Sequence, residues 1–303
     1  MGLTDLTIHF LNMTPETCPV CSSTISTGLT SWHKRCLNCH YEKSYLAVSI
    51  NDKAASSNID EPARAAVLEA LRRENFAQIL RAISFYKPNG GKLLDVGAAH
   101  GWFLELVGPQ FDALGIEPDR TIAKETLARG GNVRIGYFPE AITPTEMFDV
   151  IIFNDVIEHI PNIKQVIADC KTHLNQNGLL VINLPSSTGI FYRLGALLCR
   201  LGRPGFFNQM WQKDLPSPHL HYFNSANLVQ LLRNTGFNVL CNKRLESVKF
   251  TGLYSRLTYA NNQQSFLPTL FSYCVITCMI PFLRILPSDI IYIIATPDTS
   301  SNS

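Results

Sequence analysis

Cys18 and Cys21 of CPVC and Cys36 and Cys39 of CLNC make two CxxC pairs with 14 residues between them. Each pair sets two thiolates on one side of a tight turn. Two such turns face to face offer four sulfurs in a tetrahedron, the arrangement that structural Zn²⁺ sites use. Such a site is closed, so it serves folding and acceptor recognition rather than catalysis. Ser22 and His40 follow the two pairs, at places where zinc knuckles often carry glycine. No βαβ pattern surrounds either pair, which argues against a redox motif. The other chemistry lies far along the chain. Asp155, Glu158 and His159 are spaced i, i+3, i+4 in FDVIIFNDVIEHI, with His219 and His221 downstream in PHLHYF. If the loop turns helical, the first three share one face. Two carboxylates with imidazoles are ligands for Mg²⁺ or Mn²⁺. Without an ion, His159 or His221, with Glu158 beside it, is the candidate catalytic base, because imidazole titrates near neutral pH.

These residues need a scaffold, and the pattern from Lys92 onward supplies one. Short apolar runs (KLLDVG, DALGIE, NVRIG, FDVIIFND, GLLVINLP) alternate with helical stretches, which implies a parallel sheet covered by helices. FNVLCNKRLES and DIIYIIATP add two later strands, seven in all. An earlier helix spans about 60–88, with Asp60 as N-cap, Pro62 in the first turn and Leu68, Leu71, Phe76, Ile79, Leu80 and Ile83 as its apolar stripe. It is expected to pack on the domain that follows. In LLDVGAAHG, an apolar strand ends at Asp95, and Gly97, Ala99 and Gly101 follow at alternate positions. Small residues there let the backbone turn tightly and approach a ligand at the start of a helix. About twenty residues on, Glu117 closes the second strand, where an acidic side chain accepts hydrogen bonds from ribose hydroxyls.

With these motifs in this order, residues 90–297 resemble the class I S-adenosylmethionine-dependent methyltransferases. The resemblance implies a Rossmann-like α/β fold, a seven-stranded, mostly parallel sheet with its last strand antiparallel, beside the small N-terminal zinc ribbon at 14–46. It places Asp95, Gly97, Ala99 and Gly101 around the methionine part of the cofactor and Glu117 at its ribose. Tyr137 and Phe138 would line the adenine, and Asn154, in the strand-four stretch, would also bind cofactor. Asp155, Glu158 and His159 are similar to the acidic-x-x-Glu-His motif of metal-dependent O-methyltransferases acting on polyprenyl dihydroxybenzoates and on small-RNA termini. Asp155 stands where those groups usually have glutamate. The expected reaction is methylation of a hydroxyl on a small-molecule, glycan or lipid-linked acceptor. An RNA methyltransferase, or an inactive scaffold working through the ribbon, are the alternatives.

Two insertions, about 187–221 and 247–286, would choose the acceptor. The first mixes aromatics and aliphatics with Arg193, Arg200 and Arg203, and would roof the pocket, lie on a membrane surface or simply pack on the core. The second carries the apolar run Phe266–Leu283, interrupted by Pro268 and Pro281, too broken for a span of about 20 apolar residues. Cys170, Cys199, Cys241, Cys274 and Cys278 are expected in the core. The N-terminal MGLTDLTIHF lacks the basic and apolar regions of a secretory leader, and Leu6 stands where myristoylation needs Ser or Thr. A reducing cytoplasmic setting, with peripheral contact to the inner face of a membrane, is the expected location. Over 303 residues the net charge is only +2, which argues against a uniformly basic nucleic-acid binder. That balance hides a basic stretch: residues 187–256 hold nine Lys or Arg against two Asp or Glu, so an anionic acceptor or surface fits.

Overall fold

A computed structural model describes residues 16–49, 61–248, 253, 266–283 and 285–298. The expected N-cap Asp60 and the N-terminal decapeptide lie outside them, as does much of the second insertion. Period-two burial builds the main sheet. Along β7 (Phe148–Asn154), Phe148, Ile151 and Phe153 face one core while Val150 and Ile152 face the other. β8 (Leu174–Pro185) and β11 (Ile290–Pro297) alternate in the same way, so both faces of the sheet are apolar and both must be covered. The strand order is β10-β11-β8-β7-β4-β5-β6, with β4 Gly91–Val96, β5 Phe111–Glu117, β6 Val133–Ile135 and β10 Phe237–Leu245. All neighbours run parallel except at β11, which is antiparallel to both β8 and β10. This is the expected seven-stranded sheet. It sets the ends of β4, β5 and β7 side by side, the place where open α/β sheets bind ligands.

One face is covered by α1 (Glu61–Tyr86) and α2 (Trp102–Val107), through Phe76, Ile79, Ile83, Phe103 and Val107. α3 (Arg120–Ala128) starts on Asp119, whose carboxylate accepts from the amides of Thr121 and Ile122. On the other face, α4 (Ile163–His173) buries Ile163, Val166, Ile167 and Cys170, an i, i+3, i+4, i+7 stripe. α7 (Ser225–Asn234) adds Leu228, Leu231 and Leu232 and starts on a capping box between Asn224 and Asn227.

The cysteine ribbon does not stand apart. Its strands β1 (Ile25–Thr27), β2 (His33–Cys36) and β3 (Glu42–Ser44) form an antiparallel sheet whose fourth strand is β9 (His221–Tyr222), supplied by the main domain. Cys18, Val20, Ile25, Cys36 and Tyr41 share one continuous core with α4 and α7. Further contacts pin it: Asn227 donates to the Cys39 carbonyl and Asn234 to the Val20 carbonyl. The first insertion forms α5 (Ile190–Arg200) and α6 (Gly205–Met210), and Tyr192, Phe207 and Trp211 pack with Tyr222 and the ribbon's Trp32. Beneath them His33 donates to Glu42 across 2.8 Å, its other ring nitrogen accepting from the Leu29 amide. Tyr192 donates to the same carboxylate, so a buried charge is shared between ribbon and insertion.

α8 (Phe266–Leu283) forms across the apolar run, with Pro281 inside it. Among the described residues no helix is long and apolar enough to cross a membrane. Cys170 is buried, as expected, but Cys274 and Cys278 correct the expectation: both are exposed, and Cys199 and Cys241 are only half-buried. Apolar neighbours in sequence therefore do not by themselves fix a cysteine's burial: Cys241 lies in β10 itself and is still only half-buried.

Candidate functional site

The ribbon's two knuckles close as their spacing implies. The Cys18 and Cys39 sulfurs are 3.5 Å apart, as are those of Cys21 and Cys36, and all four lie within 4.8 Å of one another. Zinc–sulfur bonds of about 2.3 Å require tetrahedral sulfurs about 3.8 Å apart, so the set fits Zn²⁺. Backbone bonds from Ser22 to the Cys18 carbonyl and from His40 to the Cys36 carbonyl tighten each turn. Both Ser22 and His40 adopt φ of 60°, the left-handed region that favours glycine. Here the knuckle shape persists without its usual residue. Ser22→Gly and His40→Gly are each expected to add about 0.5–1 kcal/mol of stability, read as a higher denaturation midpoint with unchanged denaturant slope.

At the carboxyl ends of β4, β5 and β7 lies a cleft of about 500 Å³. Its one end is lined by Val96, Gly97, Ala99, Glu117, Tyr137 and Phe138, and Asn154 joins them at the end of β7. The loop after β4 is held by Glu117, which accepts from the amides of Ala99 and Asp119, each at 2.8 Å. Those bonds use one lone pair on each oxygen and leave acceptor capacity for two hydroxyls. Burial pushes the Glu117 carboxyl above its ordinary range. Gly97 has φ of 74°, and a Cβ there would meet Val156 Cγ2 at 2.5 Å, so backbone approaches where a side chain cannot. Asp95 and Gly101 do not line the cleft. Asp95 is buried beneath the loop, accepting from Asn154 Nδ2 at 3.4 Å, and Gly101 opens α2 with φ of 74°. The carboxylate, the open backbone and the flat aromatic wall fit a nucleoside bearing an amino-acid tail.

At the other end are Arg72, Asp155, Val156, His159, Ile160 and Pro161, with Val48 and the stretch from Leu215 to Ser217. Asp155 has φ of 56°, and a 3-10 turn, Ile157–His159, follows it. This turn puts Glu158, His159 and His219 together, with ligand atoms within 4.8 Å of one another. Glu158 is 1% exposed, and neither carboxylate oxygen has a hydrogen-bond partner. The imidazole Nε2 atoms of His159 and His219 both lie 4.0 Å from its Oε1. Burial, then the nearby Asp155 carboxylate, holds the Glu158 carboxyl well above the ordinary range. A bare buried carboxylate costs several kcal/mol unless a cation faces it. His159 Nδ1 donates to the Pro218 carbonyl at 2.9 Å, which orients the ring as outer-shell bonds orient metal-binding histidines. Two imidazoles and a carboxylate fit a divalent ion, and this donor set favours Mn²⁺ over Mg²⁺, which prefers oxygen.

Two expected site residues are placed elsewhere. Asp155 stands apart from the triad, 3.7 Å from the Arg72 guanidinium. His221 is buried, donates from Nε2 to the Ile160 carbonyl and accepts at Nδ1 from the Tyr41 hydroxyl. Both ring nitrogens are thereby engaged between ribbon and domain, His221 does not line the cleft, and burial pushes its pKa down to about 4. Arg72 and Val48 are cleft residues that the sequence did not announce, whereas Gln212 and Leu215–Ser217 belong to the first insertion, which was expected to roof the pocket.

A family described as a methyltransferase domain matches residues 68–242. The ubiquinone biosynthesis O-methyltransferase of Rickettsia akari is 30% identical over 113 residues, 35% of this chain and 45% of that one. Its counterpart from Rickettsia typhi is 26% identical over 194 residues, 61% of this chain and 74% of that one. The chain spans about half the length of the first of these curated relatives. Among solved structures, a SAM-dependent methyltransferase of Thermotoga maritima superposes with a TM-score of 0.51 at 12% identity, over 80% of this chain and 98% of that one. The plantazolicin methyltransferase BpumL, solved with a desmethyl analogue and SAH, gives 0.50 at 14% identity, over 81% and 94%. At such identities these two likenesses speak for the fold. With a family match covering more than half the sequence, the chain belongs to the methyltransferase domain family.

Proposed function

We propose that the protein transfers a methyl group from S-adenosylmethionine to a hydroxyl of a small, largely apolar or lipid-linked acceptor. One observation carries this reading: a single cleft has the nucleoside-type loop at one end and His159 at the other, with Glu158 and His219 buried beside His159 and off the cleft lining. The relatives' names, O-methyltransferases of ubiquinone biosynthesis, support oxygen as the methylated atom. Val48, Ile160, Pro161, Leu215 and Pro216 make the acceptor wall mostly apolar, with Arg72 its cation.

Bound at the loop, S-adenosylmethionine supplies an electrophilic methyl carried on a sulfonium. The chain's residues have three tasks. Gly97, Ala99, Glu117, Tyr137 and Phe138 hold the donor, and Asp95 with Asn154 attracts its ammonium from below. The apolar wall excludes water and aligns the acceptor, which is worth several kcal/mol of barrier when the geometry is right. His159 Nε2 takes the hydroxyl proton, and Glu158 steadies the resulting imidazolium. Alternatively, a divalent ion held by Glu158, His219 and His159 would occupy the His159 Nε2 lone pair and, in place of that base, would supply Lewis acidity toward the same hydroxyl. Zn²⁺ on Cys18, Cys21, Cys36 and Cys39 would fix the ribbon, and through β3 and β9 the segment bearing His219: Ser44 Oγ donates to the His219 carbonyl at 2.7 Å.

Burial pushes the Asp95 carboxyl up to about 7, with Glu117 adding to the rise and the Asn154 bond opposing it. Below that pH the empty site holds Asp95 protonated, and capture of an ammonium must expel the proton. Cofactor affinity is therefore expected to fall by up to about tenfold per pH unit below 7 and to level above it. Calorimetry in buffers of differing ionisation enthalpy checks this through proton release at low pH; a pH-independent affinity would separate Asp95 from the ammonium.

The experiment for the function as a whole is turnover of labelled S-adenosylmethionine against phenols and catechols. It is run after removal of weakly held metal and again with Mn²⁺ or Mg²⁺ restored. Recovery with Mn²⁺ supports the ion, while full activity without it leaves His159 as an unaided base. Absence of transfer to any hydroxyl compound, with the cofactor bound, would refute the acceptor class.

A further inference from the structure

Helix α5 turns an apolar stripe to solvent. Leu194, Leu197 and Leu201 are 43%, 50% and 68% exposed, and their i, i+3, i+7 spacing sets them on one side. Tyr192 and Gly195, on the opposite side, are buried. At 100° per residue, Arg193 and Arg200 fall along one flank of the leucines, both exposed, and exposed Arg203 lies just past the helix end. The helix contains no acidic residue. Further exposed apolar side chains lie near the start of α5. Ile190 donates its amide to the Pro287 carbonyl at 3.1 Å, and the Tyr192 amide reaches Asp289 Oδ1 at 3.0 Å, so the start of α5 is tied to the turn that follows α8. That turn exposes Ile285 to 82%, with Leu286 next to it, and Phe282 at the end of α8 is 62% exposed.

We propose that this face docks the protein on an anionic lipid bilayer. Leucines flanked by arginines on a short, laterally anchored helix suit the boundary between headgroups and acyl chains: apolar side chains enter, and guanidiniums pair with phosphates along the flank. The charge of the face selects this occupant. Arginines along the rim attract a negatively charged lipid surface, and no acidic residue of α5 opposes them. The helix lies in the plane of the surface, consistent with the lack of any membrane-crossing helix among the described residues. The same insertion runs on to Gln212 and Leu215–Ser217 at the cleft, so docking brings the acceptor wall to the membrane's edge. The inference rests on this surface alone and stands or falls separately from the methyl-transfer reading.

The test is flotation of the full-length protein with vesicles of phosphatidylcholine alone and of phosphatidylcholine mixed with phosphatidylglycerol. Partition into the anionic vesicles is expected to be about 100-fold stronger and to weaken with salt. Arg193→Gln with Arg200→Gln and Arg203→Gln should bring it to the neutral level. Leu197→Glu with Leu201→Glu should abolish it, with melting temperature and cofactor affinity unchanged in both variants. Equal partition into both vesicle types, or partition unaffected by the leucine changes, would overturn the proposal. So would a dimer in light scattering that Leu197→Glu dissolves, since the face would then belong to a second copy.

Discussion

Gly97→Arg is expected to abolish cofactor binding while leaving a folded protein. Gly97 sits in the left-handed region at the cleft floor, and even a Cβ there meets Val156 at 2.5 Å. A guanidinium adds both bulk and a positive charge where a sulfonium and an ammonium must settle. Affinity measured by calorimetry should drop at least about 100-fold, and methyl transfer should vanish with it. Because so large a side chain could also disturb the loop, Gly97→Ala is the milder companion. Strain of about 1–2 kcal/mol for a non-glycine residue at that φ predicts a drop of about tenfold in affinity. Unchanged affinity in Gly97→Arg, with native circular dichroism, would move the cofactor elsewhere.

The second large effect belongs to Glu158. Glu158→Ala removes the carboxylate that faces His159 and His219, and turnover should fall by about 10²–10⁴-fold. Cofactor affinity should stay within about twofold, since Glu158 does not line the cleft and its carboxylate makes no hydrogen bond to the loop. Stability gives an independent readout. Glu158 is a buried carboxylate without hydrogen bonds, so in metal-free protein its removal is expected to leave the melting temperature level or raise it. Saturating Mn²⁺ should raise the melting temperature of the native protein and not of the variant. A Mn²⁺ shift retained in Glu158→Ala would place the ion elsewhere.

Much of the scaffold was legible because it follows from periodicity. The five parallel strands are apolar runs, and α4 and α7 show their stripes directly. The four cysteines are recognisable because ligand spacing is a local property. The seating of the ribbon was hidden, since β3 and β9 pair across a long stretch of chain and their partners, Glu42, Lys43, His221 and Tyr222, carry no hydrophobic signature. The site itself was half legible. A helix through Asp155, Glu158 and His159 would place all three on one face. The chain instead takes a left-handed residue at 155 and a single 3-10 turn, which sends Asp155 to Arg72 and frees the face for His219. His219 and His221 are separated by one residue, yet their roles diverge because strand β9 begins only at His221, where Tyr41 claims the ring. Sequence spacing could not say which imidazole would meet Glu158.

The central claim is that one cleft brings a methyl donor to a hydroxyl beside His159, with Glu158 buried next to that imidazole. Its most direct test is incubation of the purified protein with a cell extract and trideuteromethyl S-adenosylmethionine, followed by mass spectrometry of the labelled products. The expected result is a methyl ether carrying the label, formed by the native protein and lost with His159→Ala. Label found only on nitrogen or carbon, or an ether formed equally well by His159→Ala, would contradict it.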